Sequence, residues 1–428
     1  MSAAGTPPGR TSAPQDPGRT SAPQDPGRTS TTLDRGRPGA ARDRGRASSE
    51  GRTVLVAHPS PDLYGSDRQL VETVVGLVAG GYRVKAALPQ DGPLVPVLRR
   101  AGAAVAVLPF TVLRKALLTP GGLSALALDA GPEIARLRRV IQISGADAVL
   151  VNTVTIPWWP LAARAAGVPV LAHVHEAEDT QHLVIRAGLN APLLAATQIV
   201  ANSGAARRVL LDAQPLLASR TRVIHNGVAG PRSPLAPLRT RGAAEPFRVA
   251  MVGRLSPRKG VDVALEAIAL LRAEGVDASL RVAGSIFPGY EWYEEGLRRR
   301  AAAPDLAGHV ELLGYVHPTW PVLEQADAVV VPSRAEPFGN TAVEAMHAGR
   351  PLVACQVQGL AEVVTDGVTG LLVAPDSPRA LADGLARCAA DPGLALDLAE
   401  QGRQEAARRF SVEGYRERMA AAVSHMLI

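Results

Sequence analysis

Short, almost wholly apolar runs recur along most of the chain, separated by stretches in which apolar residues return every three or four positions. The runs TVLVAH (53–58), RVKAALP (83–89), AVAVLPF (104–110), DAVLVN (147–152), PVLAHVH (169–175) and TQIVAN (197–202) predict strands, and DRQLVETVVGLVAGG (67–81) and PEIARLRRVIQIS (132–144) predict amphipathic helices between them. Continuous rather than alternating apolar character indicates parallel strands covered on both faces. The alternation stops at 229–246, AGPRSPLAPLRTRGAAEP, where Pro, Gly and Arg predict a linker. It restarts with FRVAMVG (247–253), SLRVAG (279–284), HVELLG (309–314), DAVVVPS (327–333), PLVAC (351–355) and GLLVAP (370–375). The pattern predicts two doubly wound α/β domains, 53–228 and 247–410, with a ligand cleft at the carboxyl ends of their strands.

Residues 1–52 have a different texture. The unit GRTSAPQDP occurs at 9–17 and again at 18–26, and the composition predicts a disordered tail unable to bury a core. The tail holds nine of the 43 arginines and only five acids, so it supplies most of the formal charge of +6. The remainder is nearly balanced, which removes the argument for nucleic acid as a partner. Aromatic residues are 4% of the chain, so the core has to be aliphatic. The two cysteines, Cys355 and Cys388, have neither metal-ligand nor disulfide spacing, which fits a reducing compartment. With no signal-like apolar segment at the start and no run long enough to span a bilayer, the expectation is a cytoplasmic protein. The 110–128 stretch, carrying Arg114 and Lys115 among apolar residues, reads either as a membrane-surface contact at the inner face or as a core helix with two exposed cations.

Two segments of the second half carry chemistry. In GRLSPRKG (253–260) a strand ends, a glycine-containing turn begins at Gly253, and a helix follows. Arg254, Lys259 and the helix-terminal amides are thereby aimed at one anion-binding point. The chain has only three lysines, so a compact point charge at 259 stands out against the arginines. The spacing is not that of a Walker A loop. In VVVPSRAEPFGNTAVEAMHAGRPLVA (329–354) a buried strand leads into a loop holding Glu336, and Glu344 lies about one turn into the next helix. Both carboxylates are expected to face one crevice, as acceptors for vicinal sugar hydroxyls, with the amides of Phe338, Gly339, Asn340 and Thr341 pointing into it.

Together with GLAEVVTDGVTGLLV (359–373), these segments resemble the retaining GT-B glycosyltransferases of family 4, with the resemblance extending over about 53–428. The resemblance implies two Rossmann-like domains and transfer of a hexose-type sugar from a nucleoside-diphosphate sugar to a sugar, lipid-linked or small-molecule hydroxyl. The setting it implies is glycan, polysaccharide or glycolipid synthesis, with no required metal or other cofactor. It puts Arg254 and Lys259 on the donor diphosphate, Glu336 on the transferred sugar, Glu344 on the ribose, and the 338–341 amides on sugar and phosphate oxygens. It also implies that the last helix, 411–428, crosses back to the first domain, and makes Glu362 a secondary candidate beside the 366–370 turn.

The first half is read more coarsely. Gly65 and Ser66 precede a helix and offer their backbone to the donor, whereas the family pattern has two glycines there. Asp67 either orients the acceptor or caps the helix. At the strand end AHVHE, His175 matches the family position beside sugar and acceptor, with His173 as the alternative and Glu176 adjacent. Asn152 and Asn202 end neighbouring runs on the cleft side, Ser203 reads as a helix N-cap, and Trp158 and Trp159 either stack on an acceptor sugar or pack at a helix start. The competing functions are a GT-B sugar-nucleotide epimerase or phosphorylase, and a non-catalytic sugar-nucleotide sensor. A nicotinamide enzyme is disfavoured because no GxGxxG follows the first strand of either domain.

Overall fold

The computed structural model describes residues 51–114, 119–177, 182–242 and 245–428. The repetitive segment 1–50 and Lys115 therefore lie outside the described residues. Seven parallel strands form the first sheet: β1 (Thr53–Ala57), β2 (Arg83–Leu88), β3 (Ala104–Val107), β4 (Ala148–Val151), β5 (Val170–Val174), β6 (Gln198–Ala201) and β7 (Thr221–Val223). Their spatial order is β3-β2-β1-β4-β5-β6-β7. The second sheet has six parallel strands: β8 (Phe247–Val252), β9 (Ala278–Ala283), β10 (Val310–Gly314), β11 (Ala328–Val331), β12 (Leu352–Cys355) and β13 (Leu371–Val373), in the order β10-β9-β8-β11-β12-β13. Both orders reverse beside the first strand of their sheet, the switch point at which doubly wound sheets open a crevice.

Continuously apolar runs became inner strands because each face has a helix layer to bury against. β1, β4, β5, β11 and β12 are buried along their whole length. β3 is the exception. Its AVAV sequence is largely exposed, since it is an edge strand with β2 as its single neighbour. Cys355 and Cys388 are both free and buried. Among the described residues no helix is long and apolar enough to cross a membrane.

Two crossings join the lobes. Segment 229–242 forms neither helix nor strand and is pinned to the second lobe, where Arg350 donates to the Ala236 carbonyl (2.8 Å) and Glu324 accepts from its amide (2.7 Å). The last helix, Val412–Met426, follows Phe410, which is buried in the second lobe, yet it places Tyr415, Met419, Ala422 and Val423 in the core of the first. Tyr415 shares a buried hydrogen bond with Thr73 (2.6 Å), and Arg416 pairs with Glu72.

A third tie is a carboxylate. Glu362, in the second lobe, accepts hydrogen bonds from the Gly204 and Ala205 amides (2.7 and 2.6 Å) at the start of the first-lobe helix Gly204–Ala213. Burial alone would push its carboxyl up. His225, the two amides and Arg208 outweigh that and hold it below the usual range. An anion at a helix N-terminus is stabilising, so Glu362→Gln is expected to cost about 1–2 kcal/mol at neutral pH. Because the folded-state pKa is depressed, this contribution is complete above the ordinary carboxylate range and fades as pH falls through the lowered value. The gap between wild-type and Glu362→Gln melting temperatures should therefore close below about pH 4.

Candidate active site

A cavity of about 750 Å³ opens where the carboxyl ends of the two sheets face each other. The first lobe contributes the loop after β1, Asn152 and Thr153 after β4, His175 and Glu176 after β5, and Asn202 after β6. The second contributes Gly253, Arg254, Arg258 and Lys259 after β8, Phe287 after β9, and Glu336–Thr341 after β11.

The turn after β8 is a short 3-10 segment, Pro257–Lys259, joined to the helix Val261–Ala273 through Gly260 in a left-handed conformation (φ +69°). It delivers the Lys259 ammonium onto the Glu336 carboxylate, which the Ser333 hydroxyl also reaches at 3.3 Å. Burial favours the neutral Glu336, but Lys259 and Arg258 prevail and hold its carboxyl below the ordinary range. Gln358 fixes the same loop, accepting from the Glu336 amide (2.9 Å) and donating across the cleft to the Ala177 carbonyl (2.7 Å). Arg334, next to the loop, is anchored by Asp262 (2.6 Å) and Asp376 (2.6 Å).

Arg254 lines the same cavity as Lys259. Its guanidinium rests against the rings of Tyr64 (4.2 Å) and Phe287 (3.3 Å), one from each lobe, which themselves meet edge to face (5.0 Å). Burial lowers its pKa to about 10, so it keeps its charge at neutral pH, held by ring faces and with no carboxylate pairing to it among the described residues.

The two glutamates differ in their surroundings. Glu336 lines the cavity; Glu344 does not. The helix starts at Asn340, and one turn later Glu344 points to the neighbouring loop, where the Thr319 hydroxyl bonds to it. Burial raises its carboxyl pKa against the opposing fields of Arg68 and Lys259. Arg68 reaches the same loop, at Tyr315 (3.4 Å) and His317 (3.0 Å). Glu336 thus lines the cavity itself, while Glu344 lies behind the helix start, within the field of Lys259.

Phe338, Gly339, Asn340 and Thr341 do line the cavity. Gly339 has φ +115°, and a Cβ there would lie 2.6 Å from Leu360, so this turn requires glycine. Gly65 and Ser66 also line the cavity, at the start of the helix Gly65–Ala79. A Cβ on Gly65 would sit 3.3 Å from the Asn340 amide, which Asn226 holds by its side chain (2.9 Å).

Three acceptor-side expectations change. Asp67 is a buried capping residue: one oxygen accepts from the Tyr64 amide (2.7 Å) and the other from His58 (2.7 Å). His173 is fully buried below His175, with ring centroids 4.0 Å apart, and does not line the cavity. Trp159 is fully buried against Phe110 in edge-to-face contact (5.4 Å), and neither tryptophan lines the cavity, which leaves packing as their role. Ser203 caps its helix through the Ala206 amide (2.9 Å). His175 and Asn152 do line the cavity and bond to each other at 3.0 Å. Glu176 accepts from Thr153 (2.5 Å) and the His175 amide (2.9 Å), and burial raises its carboxyl pKa. Sequence reasoning missed His58, Tyr64, Phe287 and Gln358. Of these only His58, a polar residue closing an apolar run, left a visible signal. Among the described residues no cluster of three or more His, Cys, Asp or Glu side chains is arranged to hold a metal ion.

The family model for glycosyl transferases group 1 matches residues 240–405, and that for glycosyltransferase family 4 matches 64–229, so each lobe is matched separately. The chain belongs to the family 4 group of GT-B glycosyltransferases. Within this glycosyltransferase family, glycogen synthase of Mycobacterium tuberculosis is 36% identical over 193 residues, 44% of each chain. D-inositol 3-phosphate glycosyltransferase of Acidothermus cellulolyticus is 30% identical over 297 residues, 61% of this chain and 64% of that protein. The matches thus span between about half and two thirds of these relatives. Two solved structures share the fold. HepE from Anabaena, in complex with UDP and glucose, superposes with a TM-score of 0.71 at 24% identity over 87% of this chain and 99% of that one. Sucrose-phosphate synthase of Thermosynechococcus elongatus superposes with a TM-score of 0.69 at 22% identity, over 87% and 98%.

Proposed function

We propose that this glycosyltransferase moves a hexose-type sugar from a nucleoside-diphosphate sugar to an acceptor hydroxyl of a glycan or glycolipid, with retention at the anomeric carbon and without a required metal. The observation that carries this reading is the cavity in which Lys259, Glu336 and the start of the Asn340–His347 helix meet across from His175.

In the absence of donor, Lys259 and Glu336 neutralise each other. A bound diphosphate offers the ammonium a doubly charged partner, and the freed carboxylate turns to the sugar hydroxyls. The charge that builds on the departing β-phosphate then falls between Lys259 and the backbone amides at 339–341, donors already in place before bond cleavage. Arg254 supports the same charge from its aromatic clamp while bridging the lobes. The acceptor hydroxyl attacks from the face the phosphate leaves. Its oxygen forms the new glycosidic bond to the anomeric carbon as the bond from that carbon to the β-phosphate oxygen breaks, and the leaving phosphate oxygen takes its proton. Glu344, which the Thr319 hydroxyl bonds, holds the ribose in this reading.

HepE has been solved with UDP-glucose, which makes UDP-sugars the first donors to try. UDP, GDP and ADP should be compared by thermal shift on the full chain. One of them is expected to stabilise it strongly, by about 2.7 kcal/mol at a hundredfold excess over Kd. The matching radiolabelled sugar nucleotide should then yield product only with an acceptor. Isomerisation of donor alone, or binding without turnover, would overturn the proposal in favour of an epimerase or a sensor.

A further inference from the structure

Three strand ends that are neighbours in the first sheet carry a buried hydrogen-bond chain that the transfer reading does not use. His58 follows β1, Asn152 follows β4 and His175 follows β5, and Asp67 closes the chain from the first turn of the helix Gly65–Ala79. The contacts run from Asp67 Oδ1 to His58 Nε2 (2.7 Å), from His58 Nδ1 to Asn152 Nδ2 (3.0 Å), and from Asn152 Oδ1 to His175 Nε2 (3.0 Å). Asp67, His58 and Asn152 are all buried.

We propose that Asp67, His58 and Asn152 are positioning residues that fix the tautomer of His175, so that its Nδ1 meets the substrate as a hydrogen-bond acceptor. This rests on the transfer reading for the identity of the substrate, a hydroxyl-bearing sugar, but not for the tautomer itself.

The assignment follows from one end of the chain. Asp67 sits at a helix N-terminus, where its second oxygen accepts from the Tyr64 amide at 2.7 Å. A carboxylate only accepts, so His58 Nε2 donates. The Asn152 Nδ2 amide can only donate, so His58 Nδ1 accepts from it (3.0 Å). Asn152 must therefore turn its carbonyl oxygen to His175, and that oxygen takes an N–H from Nε2. His175 itself stays neutral, its pKa pushed down to about 3 chiefly by burial. The one remaining nitrogen is Nδ1, which has no hydrogen-bond partner among the described residues, on a ring that lines the cavity. If His58 lost its place, nothing would choose between the two tautomers, and part of the population would present an N–H where a lone pair is required.

The test is two-bond proton–nitrogen NMR on the full chain labelled with nitrogen-15 histidine, with His175 assigned by comparison with His175→Gln. The expected wild-type signature is a protonated Nε2 and a bare Nδ1. His58→Phe, and independently Asn152→Ala, should give a mixture of the two. Each should lower kcat about tenfold or more while Kd for the stabilising nucleoside diphosphate changes less than about twofold. A wild-type His175 protonated at Nδ1 would overturn the proposal, as would an unchanged tautomer in both variants. Parallel loss of nucleotide binding and kcat would instead mark a folding defect and remove the positioning role. Should the wild type turn over no sugar nucleotide, the transfer reading fails alone, because the spectra need no substrate.

Discussion

Lys259→Ala is expected to lower kcat for sugar transfer by about two to three orders of magnitude, the usual effect of removing one preorganised donor to developing negative charge. The loss should exceed any loss in donor affinity, because the demand on the ammonium grows as the phosphate departs. The substitution has a second consequence. Glu336 is buried and now accompanied by Lys259, Arg258 and the Ser333 hydroxyl; without the ammonium, burial counts for more and its carboxyl pKa rises. In the wild type the lowered pKa of Glu336 contributes stability above the ordinary carboxylate range, which is lost as pH falls through the folded-state value. Lys259→Ala should flatten that acid limb. Removing one partner of a largely buried pair is more disruptive than removing both. The double variant Lys259→Met with Glu336→Gln should therefore melt higher than Lys259→Ala while being equally inactive. Steady-state kinetics at saturating donor and thermal melts between about pH 4 and pH 7 check all three statements. A kcat within about threefold of wild type would remove Lys259 from the mechanism.

Gly260→Ala should be among the most destabilising single substitutions in the second lobe. The residue has φ +69°, and a Cβ built on it lies 2.0 Å from the Pro332 carbonyl oxygen. Neither group can yield cheaply, since both are backbone: one is the pivot of the turn that carries Lys259, the other the end of the strand that leads to Glu336. Left-handed strain costs about 1–2 kcal/mol and the overlap adds about 1–3 kcal/mol, for a total of about 3 kcal/mol or more. Gly275→Ala separates the two contributions, because Gly275 has φ +88° but nothing within 4 Å of its Cβ. It should show the backbone strain alone and keep its activity. Denaturant unfolding of the two variants measures the difference. Equal losses would mean that the turn and the strand end are not in the contact described.

Much of the fold was open to reading because the physics behind it is local. Val- and Ala-rich runs at 53–57, 148–151 and 328–331 have few ways to bury both faces except as inner parallel strands, and they did so. β3 looked the same and lies exposed, since a run of apolar residues does not record how many neighbours its strand will have. The site divides along the same line. Glu336 and the helix start at Asn340 share one strand–loop–helix segment, so their proximity is a property of spacing. The surroundings of Glu344, on the same segment, could not be read in this way, because Thr319 and Arg68 come from elsewhere in the chain.

By itself, then, the sequence determined two doubly wound lobes, the turn after β8 with its lysine, and the loop that presents Glu336, all features confined to a few consecutive residues. Only the tertiary structure decided that Lys259 and Glu336 neutralise each other, that rings from both lobes hold Arg254, that Asp67 is a buried cap, and that His58, Asn152 and His175 form one chain. The reason is the strand order: β1, β4 and β5 are neighbours in space, so residues 58, 152 and 175, far apart along the polypeptide, end within a hydrogen bond of one another.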